Sequence, residues 1–257
     1  MRISIGGLAI DLVAEPTWLA ARLAPLGAFT QAGDAAEPSV RLDFHARAET
    51  PTPPAGSDFV FTRDDLIFAT NPARSRMWAV TDGTGGSFRA VLELALQTAL
   101  LARGGLLVHA AAGVLDGEAW LLPGPSGTGK TTAARGAGFD RVLTDERVVV
   151  RRGDAGFVAW GTPFWSEGRD RPFDAGWAPL GVLGCLHQAH VPAATPARPD
   201  RAAVHLLGSV ALYETSEAAR TAAFTLACEL VEQVRCLDLD FPREGPWIRK
   251  LSPSRPS

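Results

Sequence analysis

Gly124-Pro125-Ser126-Gly127-Thr128-Gly129-Lys130-Thr131-Thr132 satisfies the pattern G-x-x-x-x-G-K-[ST] in full. An apolar run, Ala119-Trp120-Leu121-Leu122, precedes it, and the residues after it predict a helix from Thr131 to Ala137. Strand, glycine loop and helix in that order are the context in which the pattern denotes a polyphosphate cradle. Glycines let successive backbone N–H groups turn toward one point, and the start of the helix adds unpaired donors and the positive end of its dipole. On this reading Gly124, Ser126, Gly127, Thr128, Gly129, Lys130, Thr131 and Thr132 bind a polyphosphate. Lys130 reaches the β- and γ-phosphates, and the Thr131 hydroxyl ligates Mg²⁺. The chain holds two lysines, Lys130 and Lys250, with arginine at every other basic position. A lysine placed here fits a site that needs a compact, flexible ammonium rather than a planar fork. The competing account is a surface turn rich in Gly, Ser and Thr, and it explains neither the flanking elements nor the lysine.

Working outward, 257 residues suffice for one large domain or a small lobe with a main one. A formal charge of −3 gives no general attraction to nucleic acid or to an anionic membrane, and neither partner is expected. Three cysteines, Cys185, Cys228 and Cys236, without a C-x-x-C pair, point to a reducing compartment, with the cytoplasm as the default. The first residues lack the uninterrupted apolar core of a signal peptide, and no stretch has the length of a membrane span.

Residues 2–13 read as two strands joined at Gly6-Gly7, and Pro16 opens a helix. Further strands are predicted at 39–44, 58–62, 65–69 and 76–80, with a proline-rich loop at 47–56. Residues 1–82 are thus a strand-rich lobe with one helix, 83–251 the nucleotide-binding domain, and 252–257 a polar tail. Phe88 to Arg103 is a helix apolar on most faces, hence buried. Asp116-Gly117 between apolar runs signals a two-residue hairpin, so the strand feeding the glycine loop runs antiparallel to its predecessor. The fold class that follows is α/β, with a P-loop on a mixed or antiparallel sheet rather than on an all-parallel one. Further on, 147–152 and 157–160 pair as strands, and Gly161 to Gly168 is an exposed loop. Leu180 to Leu186 is a buried strand, 191–199 a loop with three prolines, 200–210 and 215–233 helices, and 234–239 a last strand.

Val142-Leu143-Thr144 leads into Asp145 and Glu146, where a carboxylate that shares Mg²⁺ with Thr131 is expected. Adjacent strand residues point to opposite faces, so one of the two faces the nucleotide unless the strand ends there; Asp145 is favoured. An exposed acidic turn is the alternative. His109 ends the strand beside the one feeding the loop, where it contacts a phosphate or an acid or serves as a hydrogen-bonded core histidine. His187 and His190 lack a third ligand at metal spacing and read as structural or surface residues. Trp160, Trp165 and Trp177 are candidates for a substrate groove, with Trp165 in a polar loop first and Trp160 read rather as core. Arg169 and Arg171 form either an anion clamp or a solvated face.

Leu107-Val108-His109, the hairpin, Gly124 to Thr131 and Leu143-Thr144-Asp145-Glu146 resemble, in order and spacing, the HPr kinase/phosphorylase catalytic domain and its related serine kinases. The resemblance implies the phosphoenolpyruvate-carboxykinase-like fold, and it points to the shorter kinase branch, since the bifunctional enzyme's later glycine-rich signature is absent. It also implies that Lys130 and Thr131 hold ATP and Mg²⁺ and that His109 lies near the transferred phosphate. Asp145 or Glu146 would then be metal ligand and base for the acceptor hydroxyl. The expected activity is phosphoryl transfer to a hydroxyl, serine first, of a peptide or small protein, in a homo-oligomer. A metabolite kinase acting on free serine and a non-catalytic ATP-binding regulatory module are the alternatives.

Overall fold

Alternating apolar residues build two sheets, and one buried helix is shared between their cores. The computed structural model describes residues 1–30, 40–46, 52–165 and 174–251. The first sheet holds β1 (Arg2–Ile5), β2 (Leu8–Val13), β3 (Val40–Ala46), β4 (Phe59–Arg63), β5 (Leu66–Thr70) and β6 (Arg76–Thr81), in the order β1-β2-β3-β6-β5-β4. β2, β3 and β6 run parallel, and the other pairs are antiparallel. Between β2 and β3 lies α1 (Pro16–Leu23), with proline in its first turn and the Glu15 carboxylate accepting from the Thr17 and Trp18 N–H groups.

α2 (Gly85–Leu101) starts at Thr84, whose hydroxyl accepts from the Ser87 N–H at 3.2 Å. Its Val91, Leu92, Leu94, Leu96, Ala99 and Leu100 are buried. They share one core with the first sheet and with Leu107, Val149 and Phe164 of the second half. At the β1–β2 turn, a Cβ on Gly6 would stand 2.5 Å from the Val149 side chain, so a side chain there would push the two sheets apart.

The second half contains β7 (Gly105–Leu115), β8 (Glu118–Pro123), α3 (Lys130–Gly136), β9 (Arg141–Thr144), β10 (Arg147–Gly153), β11 (Gly156–Trp160) and β12 (Trp177–Gln188). They are followed by β13 (Ala193–Pro196), α4 (Pro199–Leu207), α5 (Glu217–Gln233), β14 (Arg235–Phe241) and α6 (Ile248–Leu251). The sheet order is β11-β10-β7-β8-β12-β14-β13, with β9 beside the second half of β7. β11 also pairs with β12, so β7, β8, β12, β11 and β10 close into a ring. β12 runs parallel to β8 and β14, while the other pairs are antiparallel. Successive β7 residues serve opposite faces. Leu106, Val108 and Ala110 pack toward α4 and α5, and Ala111 and Leu115 toward α3, Trp247 and Ile248.

The chain is therefore a mixed α/β protein with two mixed sheets. β7 and β8 are antiparallel across Asp116-Gly117, both left-handed with φ of 50° and 82°, as the hairpin reading requires. Three local expectations are corrected. Residues 193–196 form β13 rather than loop, because the antiparallel register against β14 leaves Pro196 at the end of the strand. Gly161 to Trp165 is buried, not exposed: Thr162 Oγ1 donates to the Arg147 carbonyl at 2.5 Å, and Thr144 Oγ1 to that of Phe164 at 3.0 Å. β7 does not end at His109 but continues to Leu115. Ser166 to Gly168, Arg169, Arg171 and the tail 252–257 lie outside the described residues. Among the described residues no helix is long and apolar enough to cross a membrane.

Candidate functional site

β7 is the spine of the site, because its neighbours on both sides change at one level. On one side, the His109 N–H donates to the Ser209 carbonyl at 2.7 Å, and from Ala110 onward the neighbour is β8. On the other, β10 accompanies Gly105 to His109 and β9 accompanies Ala112 to Val114. The connections made at these breaks are the glycine loop and the acid pair. The Gly124 N–H donates to the His109 carbonyl at 3.3 Å, and the Ala110 N–H to the Glu146 carbonyl at 3.2 Å. A sheet that parts in this way leaves a cavity of about 600 Å³ at the level of His109.

Ser126, Gly127, Gly129, Lys130, Thr131 and Thr132 line that cavity, whereas Gly124 and Thr128 shape the loop. Thr128 Oγ1 donates to the Pro125 carbonyl at 2.9 Å, and a Cβ on Gly124 would meet that hydroxyl at 2.9 Å. Gly129 cannot be replaced without strain: its φ is 94°, and a Cβ would lie 2.5 Å from the Phe241 ring. Lys130 is buried, 5% exposed, and its Nζ donates to the Gly124 and Pro125 carbonyls at 2.8 Å each. The ammonium thus lies against its own loop. Burial pushes its pKa below the ordinary lysine value and Arg147 adds to the effect, with Glu146 and Asp145 opposing.

Both acids line the cavity, since β9 stops at Thr144 and the strand alternation that would separate them is interrupted. Asp145 is 1% exposed and pairs with Arg135 of α3 at 3.4 Å. Glu146 meets Arg89 of α2 at 2.9 Å. Arg89 also holds Glu93 at 2.9 Å, donates to the Trp165 carbonyl at 3.1 Å and lies over the Phe164 ring. Glu93, buried in the middle of α2, accepts from Arg147 and from the Tyr213 hydroxyl, each at 3.2 Å. His109 is pushed down to about 4 by burial first, then by Lys130 and Arg147, with Glu93 opposing; the imidazole is neutral at neutral pH.

The structure brings His109, Lys130, Thr131, Asp145 and Glu146 together with most of the glycine loop around one cavity. Trp165 joins them in the cavity wall. Trp160 and Trp177 do not; their rings pair with each other, with centroids 5.8 Å apart. His187 sits beside Asp238 at 3.0 Å and does not line the cavity. Arg89, Gln188, Phe241 and Arg243 also line the cavity and were missed. Arg89 and Glu93 carried a usable signal, an oppositely charged pair at i and i+4 inside an otherwise apolar helix. Gln188, Phe241 and Arg243 carried none, because they reach the loop only through the β12–β14 pairing.

The donors near the loop are oxygens: the Asp145 carboxylate, the Thr131 hydroxyl and the Glu146 carboxylate. Among the described residues no three His, Cys, Asp or Glu side chains form a cluster able to hold a metal ion. One or two carboxylates with a hydroxyl, completed by phosphate oxygens and water, match what Mg²⁺ accepts.

Residues 88–251 match the family described as SynChlorMet cassette protein ScmC. No curated protein matches the chain. The family finding corrects the expectation of membership in the HPr kinase/phosphorylase family. That resemblance rested on a histidine, a hairpin, a loop and an acid pair, short stretches that do not fix a lineage. The match runs from α2 through the second sheet to α6.

Proposed function

We propose that this chain, which belongs to the SynChlorMet cassette protein ScmC family, is an ATP- and Mg²⁺-dependent kinase that transfers the γ-phosphoryl group to a hydroxyl, serine first, of a peptide or small protein. The observation that carries the reading is the convergence of the glycine loop, with the buried Lys130 in it, and two carboxylates on one 600 Å³ cavity. In this reading the loop is a P-loop. The Lys130 ammonium exchanges its two loop carbonyls for β- and γ-phosphate oxygens, and the backbone N–H groups of Gly127 to Thr131 face the same anion. Thr131 and Asp145 hold Mg²⁺, which supplies neutralisation of the charge on the phosphates.

Glu146 is the base. Its side chain is a quarter exposed, against none for Asp145, and it opens on the side bounded by Arg89 and Trp165. The acceptor oxygen bonds to the γ-phosphorus, the bond from that phosphorus to the β-phosphate oxygen breaks, ADP leaves, and the hydroxyl proton passes to the Glu146 carboxylate. Arg89 orients that carboxylate, and the neutral His109 can accept or donate one hydrogen bond at the phosphates. The protein's part is positioning and charge neutralisation.

A family named for a cassette directs the search for the acceptor to the other products of that cassette. The test is transfer from γ-labelled ATP with Mg²⁺ to serine-containing peptides encoded beside the gene, to free serine, and to the protein alone. Label on a peptide serine that disappears in Lys130→Ala and in Glu146→Gln is the expected result. Label on free serine alone would assign a metabolite kinase, and no transfer alongside ATP binding would replace the enzyme with a regulatory module.

A further inference from the structure

A second hollow, of about 260 Å³, lies between β4 and the first half of α2, and Arg89 lines both it and the larger cavity. Its apolar wall is Phe61, Leu94 and Tyr213, with Phe61 and Tyr213 edge to face at 6.0 Å, and Glu93 stands beside Arg89 at the end toward the cavity. β4 ends the first sheet, and among the described residues its strand neighbour is β5 alone. The two strands are joined by the turn Asp64-Asp65, with Arg63 opposite Leu66. In an antiparallel ladder closed by a two-residue turn, the flanking pair and every second pair from it bond inward. Phe61 and Phe59 therefore turn their N–H and C=O groups toward β5, and Val60 and Thr62 turn theirs outward.

We propose that β4 and this hollow dock the acceptor as an extended peptide. The peptide adds as a strand beside β4, seats an apolar side chain against Phe61, Leu94 and Tyr213, and leads its hydroxyl residue past Arg89 to Glu146. The proposal rests on the kinase reading for its direction, because it names the acceptor side of that same site. Its occupant follows from the chemistry: outward N–H and C=O groups repeating every second residue are matched by another polypeptide strand, and alternate side chains then fall on the hollow. A second copy of the chain fits less well. Its own β4 has Phe59 and Phe61 packed against its own core, leaving no side chain to fill the hollow.

The test uses the full chain and a fluorescein-labelled synthetic peptide of alternating valine and serine with one central leucine, compared with the same peptide N-methylated at alternate positions. Binding read by anisotropy is expected to weaken about tenfold or more on methylation, and equally in Val60→Pro. That proline removes an outward N–H and leaves the β5 ladder intact, and unchanged ATP binding would show that the variant folds. In transfer assays Val60→Pro should raise the peptide KM with kcat and the KM for ATP unchanged. Equal binding of both peptides would overturn the proposal. So would a halving of particle mass in sedimentation on Val60→Pro, which would assign the edge to a second copy. Peptide binding without any transfer would instead sink the kinase reading and leave the docking surface standing.

Discussion

At the scale of single residues the site is governed by what burial does to charge. Lys130 is held by two carbonyls that a polyphosphate would displace, so Lys130→Ala should weaken binding of a fluorescent ATP analogue about 100-fold or more. Undiminished binding would remove the loop from the site. His109 makes a separate prediction. Its folded pKa of about 4 lies below the ordinary 6.5, so the unfolded chain takes up the proton first as pH falls. The stability it contributes is complete above about pH 6.5 and is lost as the pH drops toward 4. The fall in Tm between about pH 7 and pH 5 should therefore be smaller in His109→Gln than in the parent. A fall of the same size in both would assign the acid sensitivity to another group.

Elements set where these residues meet. α2 brings Glu93 between Arg89 and Arg147, with Tyr213 as a third donor. Taking away the Glu93 carboxylate leaves Arg147 without its carboxylate partner and Arg89 with Glu146 alone, so Glu93→Ala should cost about 3 kcal/mol in urea unfolding. It should also lower kcat in the proposed reaction through the loosened Arg89. A loss under about 0.5 kcal/mol would show that the network is solvated and carries little. The turn from β8 into α3 allows equally little freedom. Gly129→Ala places a methyl group 2.5 Å from Phe241 at a left-handed backbone, and a cost of about 1–3 kcal/mol is expected from thermal unfolding.

For the molecule as a whole, the consequence lies in the shared core. α2 packs in the same cluster as β1, β2, β3, β5 and β6, and Val149 and Phe164 of the second half belong to it as well. Residues 83–251 expressed alone would expose that face of α2 along with Val149. The fragment should therefore unfold or associate where the full chain does not, as read by circular dichroism and gel filtration. A monomeric fragment with the same Tm as the full chain would show that the first sheet adds nothing to the fold of the rest. Since Arg89 and Glu93 stand on this helix, severing its support should also reduce the proposed transfer even with the loop intact.

The glycine loop, its lysine, the acid pair, the hairpin and the alternation of most strands were legible from residue order, because each depends on neighbours within a few positions. Asp116-Gly117 adopts the left-handed pair its turn demands, and the apolar face of α2 is buried as its composition requires. The local rule failed where neighbours in space outweighed neighbours in sequence. Residues 161–165 have the composition of a surface loop, yet hydrogen bonds to β10 and to Thr144 draw them inside. Asp145 and Glu146 both reach the cavity because β9 ends just before them, and ladder pairing with β7 decides where it ends. Arg89, Gln188, Phe241 and Arg243 come to the loop from α2, β12, β14 and the segment after β14. Residue order alone determined an α/β chain with a glycine loop, its lysine and a following acid pair. Only the tertiary structure decided which distant side chains wall the cavity, because that depends on strand order and helix packing between segments far apart along the chain.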